Sequence, residues 1–227
     1  MRKINSDYEI LKEHLPYKDG LVIDVGCSTG ELVRWMISQG INAIGIDVEK
    51  MVNKAIESSK KKNEEYKIGV GEHLPFDNNL ASAITYIASF HHIPSTNMML
   101  ALKECNRVLK PNGKMIVIEP ISQNQSYYEI TSLIEDEAEI QNYAYQILKR
   151  SDEAGLSFVK EETFYLERSF QDYINLLNIF IDSDEERKEV IEKARVKTKE
   201  LSRMSGVHFD KYLYKSIARL MILEKNK

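Results

Sequence analysis

Val22-Ile23-Asp24-Val25-Gly26-Cys27-Ser28-Thr29-Gly30 is the stretch whose reading decides the fold. Residues 21–25 form a short β-branched run closed by Gly20 and Gly26, which predicts a buried strand. A glycine-rich turn follows. Residues 31–39 then read as a helix, with Leu32, Trp35 and Met36 recurring on one face and Gly40 stopping it. A glycine turn between strand and helix lets the backbone approach a ligand closely and aims free helix N–H groups at it. Alone it is a weak signal, because many α/β proteins use glycines there only to turn the corner.

Outward from this unit the alternation continues. Strands are predicted at 43–46, 66–70, 83–88 and 115–119, with helices over 49–62 and 96–109 and a turn at 110–114. Upstream, Ser6 and Glu9 fit a capping box opening a short helix that runs to about Leu15. Strands separated by helices of this size imply a doubly wound, mostly parallel seven-stranded α/β sheet. Residues 121–155 read as mostly helical and carry Tyr127, Tyr128, Tyr143 and Tyr145. These aromatics suit either a substrate lid or helix packing. A strand at 157–166, helices at 170–180 and 184–204 and a strand at 214–223 complete the chain. The last helix is charge-rich, but Val190, Ala194 and Leu201 recur at helical spacing, so its charges read as a solvated face. The expected organisation is one domain over 1–227. Its half 1–120 binds a cofactor, and its half 121–227 forms the substrate side with helical, lid-like insertions.

The chain has 227 residues, 43% hydrophobic and 29% charged, with a net charge of −4. That bulk balance offers no basic face and argues against nucleic acid as a partner. Cys27 and Cys105 stand alone, which argues against a disulfide framework or a metal site. The first residues lack the apolar core of a signal peptide, and no run is long enough to span a membrane, so the expectation is a cytoplasmic protein.

Two carboxylates sharpen the glycine turn. Asp47 ends the second strand, 21 residues after Gly26. A carboxylate at that offset can accept from both hydroxyls of a ribose. Asp24 sits two residues before Gly26, where its charge would repel a dinucleotide's pyrophosphate but suits the ammonium and sulfonium of S-adenosylmethionine. Ser28 takes the middle glycine position of the dinucleotide fingerprint, which is therefore incomplete.

With these residues the chain resembles the class I S-adenosylmethionine-dependent methyltransferase superfamily, especially its type-11 small-molecule group. The matching stretches are VIDVGCSTGEL (22–32), IGIDVEKMVNKA (44–55), GEHLPF (71–76), ITYIASFHHI (84–93) and LKECNRVLKPNGKMIVIEP (102–120), in the family's order. The resemblance implies that Asp24, Gly26, Cys27 and Gly30 line the methionine end of the cofactor. It implies that Asp47 holds the ribose, that Val48 packs near the adenine, and that Gly71 and Glu72 sit at the adenine edge. Ile87 and Ala88 would close the pocket. Many relatives carry an Asp where this chain has Val70, which leaves adenine recognition to Glu72 or the backbone.

His91 and His92 follow the fourth predicted strand and are the candidate catalytic bases, with a pocket-wall role as the alternative. No metal ligand set is predicted. Relatives that methylate nucleic-acid or protein amines often carry an N-P-P-Y-like motif where this chain reads Ala88-Ser89-Phe90-His91, and no Pro-Cys dipeptide exists here. A small-molecule methyl acceptor is expected. The competing readings are a non-catalytic partner protein that binds the cofactor, and an NAD-dependent oxidoreductase.

Overall fold

The computed structural model describes residues 1–16, 20–59, 63–122 and 125–226. The strands form one eight-stranded sheet in the order β1-β7-β8-β6-β5-β2-β3-β4. They are β1 (Arg2–Lys3), β2 (Leu21–Val25), β3 (Asn42–Asp47), β4 (Glu65–Ile68), β5 (Ala81–Ile87), β6 (Leu109–Pro120), β7 (Leu156–Arg168) and β8 (Tyr214–Lys225). The pairs β1·β7, β2·β3, β2·β5, β3·β4 and β5·β6 are parallel. The expected doubly wound α/β sheet is present, with one strand more than the seven predicted. The extra strand is β1, only two residues long and paired through Arg2 and Lys3 to Phe164 and Tyr165. Two residues carry no periodicity, so nothing local announces it.

The chain divides into two compact units. The larger comprises residues 6–119, 140–162 and 219–227. In it β2 leads into α2 (Glu31–Ser38), β3 into α3 (Glu49–Glu57), and β5 through α4 (Met98–Val108) into β6. β2 and β5 are buried nearly throughout, as strands covered on both faces must be. Their apolar side chains join Met98, Leu102, Cys105 and Leu148 in one core. Predicted residues 60–62 of the third helix lie outside the described residues. The predicted turn at 110–114 lies inside β6. There the register jumps from Ala81↔Leu109 to Ala83↔Lys114, so the strand bulges where Asn112 is left-handed at φ 62°.

The smaller unit comprises residues 1–5, 120–139 and 163–218. Its core gathers Tyr173 and Leu177 from α7 (Phe170–Phe180), Val190, Ala194 and Leu201 from α8 (Asp184–Ser205), and Ile130 and Tyr214. The charged residues of α8 face away from that stripe, as its spacing predicts. Thr198 bonds back to the Ala194 carbonyl at 2.6 Å and meets the Tyr214 hydroxyl.

The capping box expected at Ser6 does not form. Ser6 precedes α1 (Asp7–Leu11) without a side-chain cap bond. The reciprocal box belongs to Ser169 and Asp172 at the start of α7, with Asp172 N–H donating to Ser169 Oγ at 3.2 Å and Ser169 N–H to Asp172 Oδ2 at 2.6 Å. Ser169→Ala is expected to cost about 1 kcal/mol, read as a lowered urea midpoint at unchanged slope. Tyr127 and Tyr128 fall in the smaller unit, Tyr143 and Tyr145 on α6 (Ala138–Leu148) in the larger. Tyr145 carries Arg219 over its ring at 3.6 Å and bonds Glu161 at 3.1 Å, a packing role. Among the described residues, no helix is long and apolar enough to cross a membrane.

Candidate functional site

The strand order reverses at β2, with β5 on one side and β3 on the other. In open α/β sheets the crevice beyond the carboxyl ends of the strands at such a reversal is where ligands bind. The chain leaves β2 there through Gly26, whose N–H, with that of Cys27, donates to the Ile46 carbonyl at 2.8 and 3.0 Å. Gly26 has φ +78°, and a Cβ on it would collide with Ser89 at the end of β5. Only glycine meets both demands. Ser28 at φ 50° and Gly30 at φ 80° are also left-handed, so every second residue of the turn adopts that form. Exposed Ala88 across the crevice joins them at φ 49°, beside half-buried Ile87. Left-handed non-glycine residues cost free energy and collect at ligand sites.

Asp47 ties this turn to β3. Its Oδ2 accepts from Ser28 N–H and its Oδ1 from Val48 N–H, both at 2.7 Å. A carboxylate oxygen takes two such bonds, so each keeps a lone pair for a hydroxyl. Val48 (51% exposed) and Ile68 (57% exposed), the β4 partner of Asp47, form an apolar shelf beside it. Carboxylate and shelf together fit a ribose joined to a flat base.

Asp24 is buried, and Thr85 Oγ1 donates to its Oδ1 at 2.8 Å. Burial pushes its carboxyl up to about 7, Thr85 opposes this, and the charge of Asp47 adds to it. Such a group stands ready to ionise when a cation approaches. Cys27 contributes backbone rather than side chain. Its buried Sγ packs where a Cβ on Gly45 would sit, and burial raises its thiol far above the usual range.

Gly71 is buried, and a Cβ there would press on Ile93 and the Tyr86 hydroxyl. Glu72 Oε1 accepts from Asn97 Nδ2 at 3.0 Å. The loop that follows is clamped by Arg107, which donates to the Phe76 and Leu74 carbonyls at 2.7 and 3.0 Å and pairs with Glu104 at 2.7 Å.

His91 and His92 lie on the 3-10 turn Phe90–His92 after β5, with ring centroids 4.1 Å apart. The two rings touch, yet His91 is buried and His92 exposed. His91 Nδ1 meets Glu119 Oε2, while Glu119 Oε1 accepts from Ser89 and Phe90 N–H at 3.1 and 2.9 Å. Sequence reasoning did not single out Glu119, Thr85, Ser89 or Ile68. Only Glu119 had a visible cue, an acid closing the strand after the histidines.

A family model described as a methyltransferase domain matches residues 23–117. The chain is 34% identical over 110 residues to an uncharacterized protein of Methanocaldococcus jannaschii, covering 48% of this chain and 39% of that one. It is 26% identical over 126 residues to the ubiquinone/menaquinone biosynthesis C-methyltransferase of Rickettsia felis, covering 51% and 50%. The matches thus span half or less of these relatives' own lengths. In structure, the chain is similar to Haemonchus contortus phosphoethanolamine N-methyltransferase 2, solved with phosphomonomethylethanolamine and S-adenosylhomocysteine. The TM-score is 0.62 and the identity 16%, over 97% of this chain and 52% of that one. A likeness at that identity shows the fold. Residues 23–117, which carry this glycine turn and its two carboxylates, are thus similar to a methyltransferase domain.

Proposed function

We propose that the protein transfers the methyl group of S-adenosylmethionine to a small-molecule acceptor by direct displacement. The observation that carries the reading is Asp47, which is fixed by Ser28 and Val48 N–H, retains two lone pairs and lies beside the apolar shelf of Val48 and Ile68. Asp47 holds the ribose hydroxyls, and Val48 and Ile68 cover the adenine. Gly71 and Glu72 border it. Asp24 faces the cationic methionine end, with Gly26, Cys27 and Gly30 supplying the backbone and Ile87 and Ala88 the opposite wall. The sulfonium supplies an already activated methyl group. The chain's contribution is alignment and exclusion of water, which can provide about 7–11 kcal/mol of the barrier. The net charge of −4 and the absence of N-P-P-Y or Pro-Cys favour a small acceptor. The Rickettsia ubiquinone/menaquinone biosynthesis C-methyltransferase and the Haemonchus phosphoethanolamine N-methyltransferase support the same reading.

Calorimetric titration with S-adenosylmethionine, S-adenosylhomocysteine and NAD tests the cofactor. Micromolar binding of the two adenosyl ligands without NAD binding is expected. Silence from both, after any co-purified ligand is stripped, would sink the reading. NAD binding would instead favour an oxidoreductase.

A further inference from the structure

We infer that Glu119 and Ser89 are positioning residues for the cofactor, a brace that presses the loop after β5 onto the glycine turn. The inference rests on the proposed function and deepens it. It names what sets the hold on the amino-acid half of S-adenosylmethionine.

The brace starts from backbone donors in need of a partner. β5 ends at Ile87, and the 3-10 turn Phe90–His92 begins three residues later. The first N–H groups of such a turn have no carbonyl of their own turn to reach. Phe90 is fully buried, so water cannot serve it. Glu119 Oε1 fills the need, accepting from Ser89 and Phe90 N–H at 3.1 and 2.9 Å. Glu119 Oε2 meets Nδ1 of buried His91. Three donors thus surround a carboxylate that is only 8% exposed, as burial of such a group requires. An apolar residue there would extend the buried run Ile116-Val117-Ile118 and strand those N–H groups.

The segment so held lies beyond the sheet and touches the cofactor turn. Ala88 is left-handed at φ 49°, a form that a non-glycine residue keeps only where its surroundings over-determine it. Two holds from β6 do so. Ala88 N–H donates to the Ile118 carbonyl at 2.7 Å, and Glu119 takes the next two N–H groups. The fixed loop sets Ser89 against the turn. Ser89 Oγ donates to the Val25 carbonyl at 2.7 Å, and its Cβ occupies the space a side chain on Gly26 would need. From the opposite side, Asp47 holds Ser28 N–H and the Ile46 carbonyl holds Gly26 and Cys27 N–H. The turn is therefore gripped between β3 and the loop after β5. The two grips serve different halves of the ligand. Asp47 and its apolar shelf belong to the ribose and adenine. Ser89 bears on Val25 and Gly26, next to Asp24, where the methionine end lies. Loosening the brace costs the amino-acid half its contacts and leaves the nucleoside half its own. Alignment of the methyl group suffers with it, since a shift of ~1 Å costs on the order of 100-fold in rate.

Calorimetric titration of the full chain with two ligands tests the brace. S-Adenosylhomocysteine carries both halves, and 5′-methylthioadenosine keeps ribose and adenine without the amino acid. Glu119→Ala is expected to weaken S-adenosylhomocysteine binding about tenfold, the weight of one strong hydrogen bond, and 5′-methylthioadenosine binding less than about threefold. Glu119→Gln keeps an oxygen for Ser89 and Phe90 N–H, and is expected to return S-adenosylhomocysteine affinity to within about threefold of wild type. Ser89→Ala keeps the Cβ against Gly26 and loses only the Val25 bond. It is expected to fold and to show the same ligand-selective loss, about three- to tenfold. Thermal melts confirm that each variant is folded. Equal loss of both ligands would make the brace a general support of the fold and overturn the inference. Unchanged S-adenosylhomocysteine affinity in folded Glu119→Ala or in Ser89→Ala would also overturn it. Where Glu119→Ala does not fold, Ser89→Ala decides alone. A wild-type protein silent toward S-adenosylhomocysteine removes the proposed function and this inference together, while wild-type binding with unaffected variants removes only the inference.

Discussion

Asp47→Ala is expected to weaken S-adenosylhomocysteine binding about 100-fold or more, with the fold intact. Two hydroxyl bonds to a carboxylate are charge-assisted, each worth about 1.5–3 kcal/mol. Losing both exceeds the ~2.8 kcal/mol that a hundredfold change requires. The variant also frees Ser28 N–H, which Asp47 holds at 2.7 Å, so the glycine turn loses its tether to β3. Asp47 is only partly buried, and the Ile46 carbonyl still anchors Gly26 and Cys27, so the sheet should survive. Asp47→Asn separates the two effects: its amide oxygen can still accept from Ser28 N–H and keep the tether, while its NH2 cannot accept from the second hydroxyl. Calorimetry with parallel thermal melts checks this. An unchanged dissociation constant in a folded Asp47→Ala protein would remove the ribose from this carboxylate.

The architecture of the first half was legible because its signals are local. β2 and β5 are apolar runs between turn residues, and a doubly covered parallel strand needs nothing else. Asp47 was legible because strand, helix and strand set a nearly fixed offset from Gly26. Glu119 was not. It acts on residues 28 to 30 positions earlier, and that pairing exists only once β5 and β6 lie side by side. Ile68 reads as one more apolar strand residue until the register sets it beside Asp47. Ser6 shows the opposite failure. The spacing to Glu9 fits a capping box, yet among the described helix starts it is Ser169 and Asp172 that close one. A four-residue pattern states what a helix start can do, and tertiary contacts decide which start does it.

Asp24 links stability to cofactor binding through one proton. Its carboxyl lies at about 7 in the folded chain and near the ordinary 3.8 when unfolded, because burial disfavours the charged form. Between those values the native state binds the extra proton. Stability from this group is therefore greatest below pH ~4 and falls as pH rises toward 7, by up to about 1.4 kcal/mol per pH unit. Asp24→Asn keeps an acceptor for the Thr85 hydroxyl and removes the ionisation, so its stability should lack this decline and exceed wild type at pH 8. Urea denaturation from pH 5 to 8 measures the difference. Binding responds in the opposite direction. A ligand with an α-ammonium beside Asp24 favours the carboxylate, so below pH 7 it must displace a proton. Its affinity should rise up to about tenfold per pH unit until pH 7 and then level off. S-Adenosylhomocysteine carries that ammonium, whereas 5′-methylthioadenosine lacks it and should show no such rise. Asp24→Asn should bind S-adenosylhomocysteine more weakly than wild type at pH 8, without the pH slope. If both ligands show the same pH dependence in the wild-type protein, the ammonium does not lie at Asp24. The buried carboxylate would then serve the Thr85 bond and the packing of β2 on β5 alone.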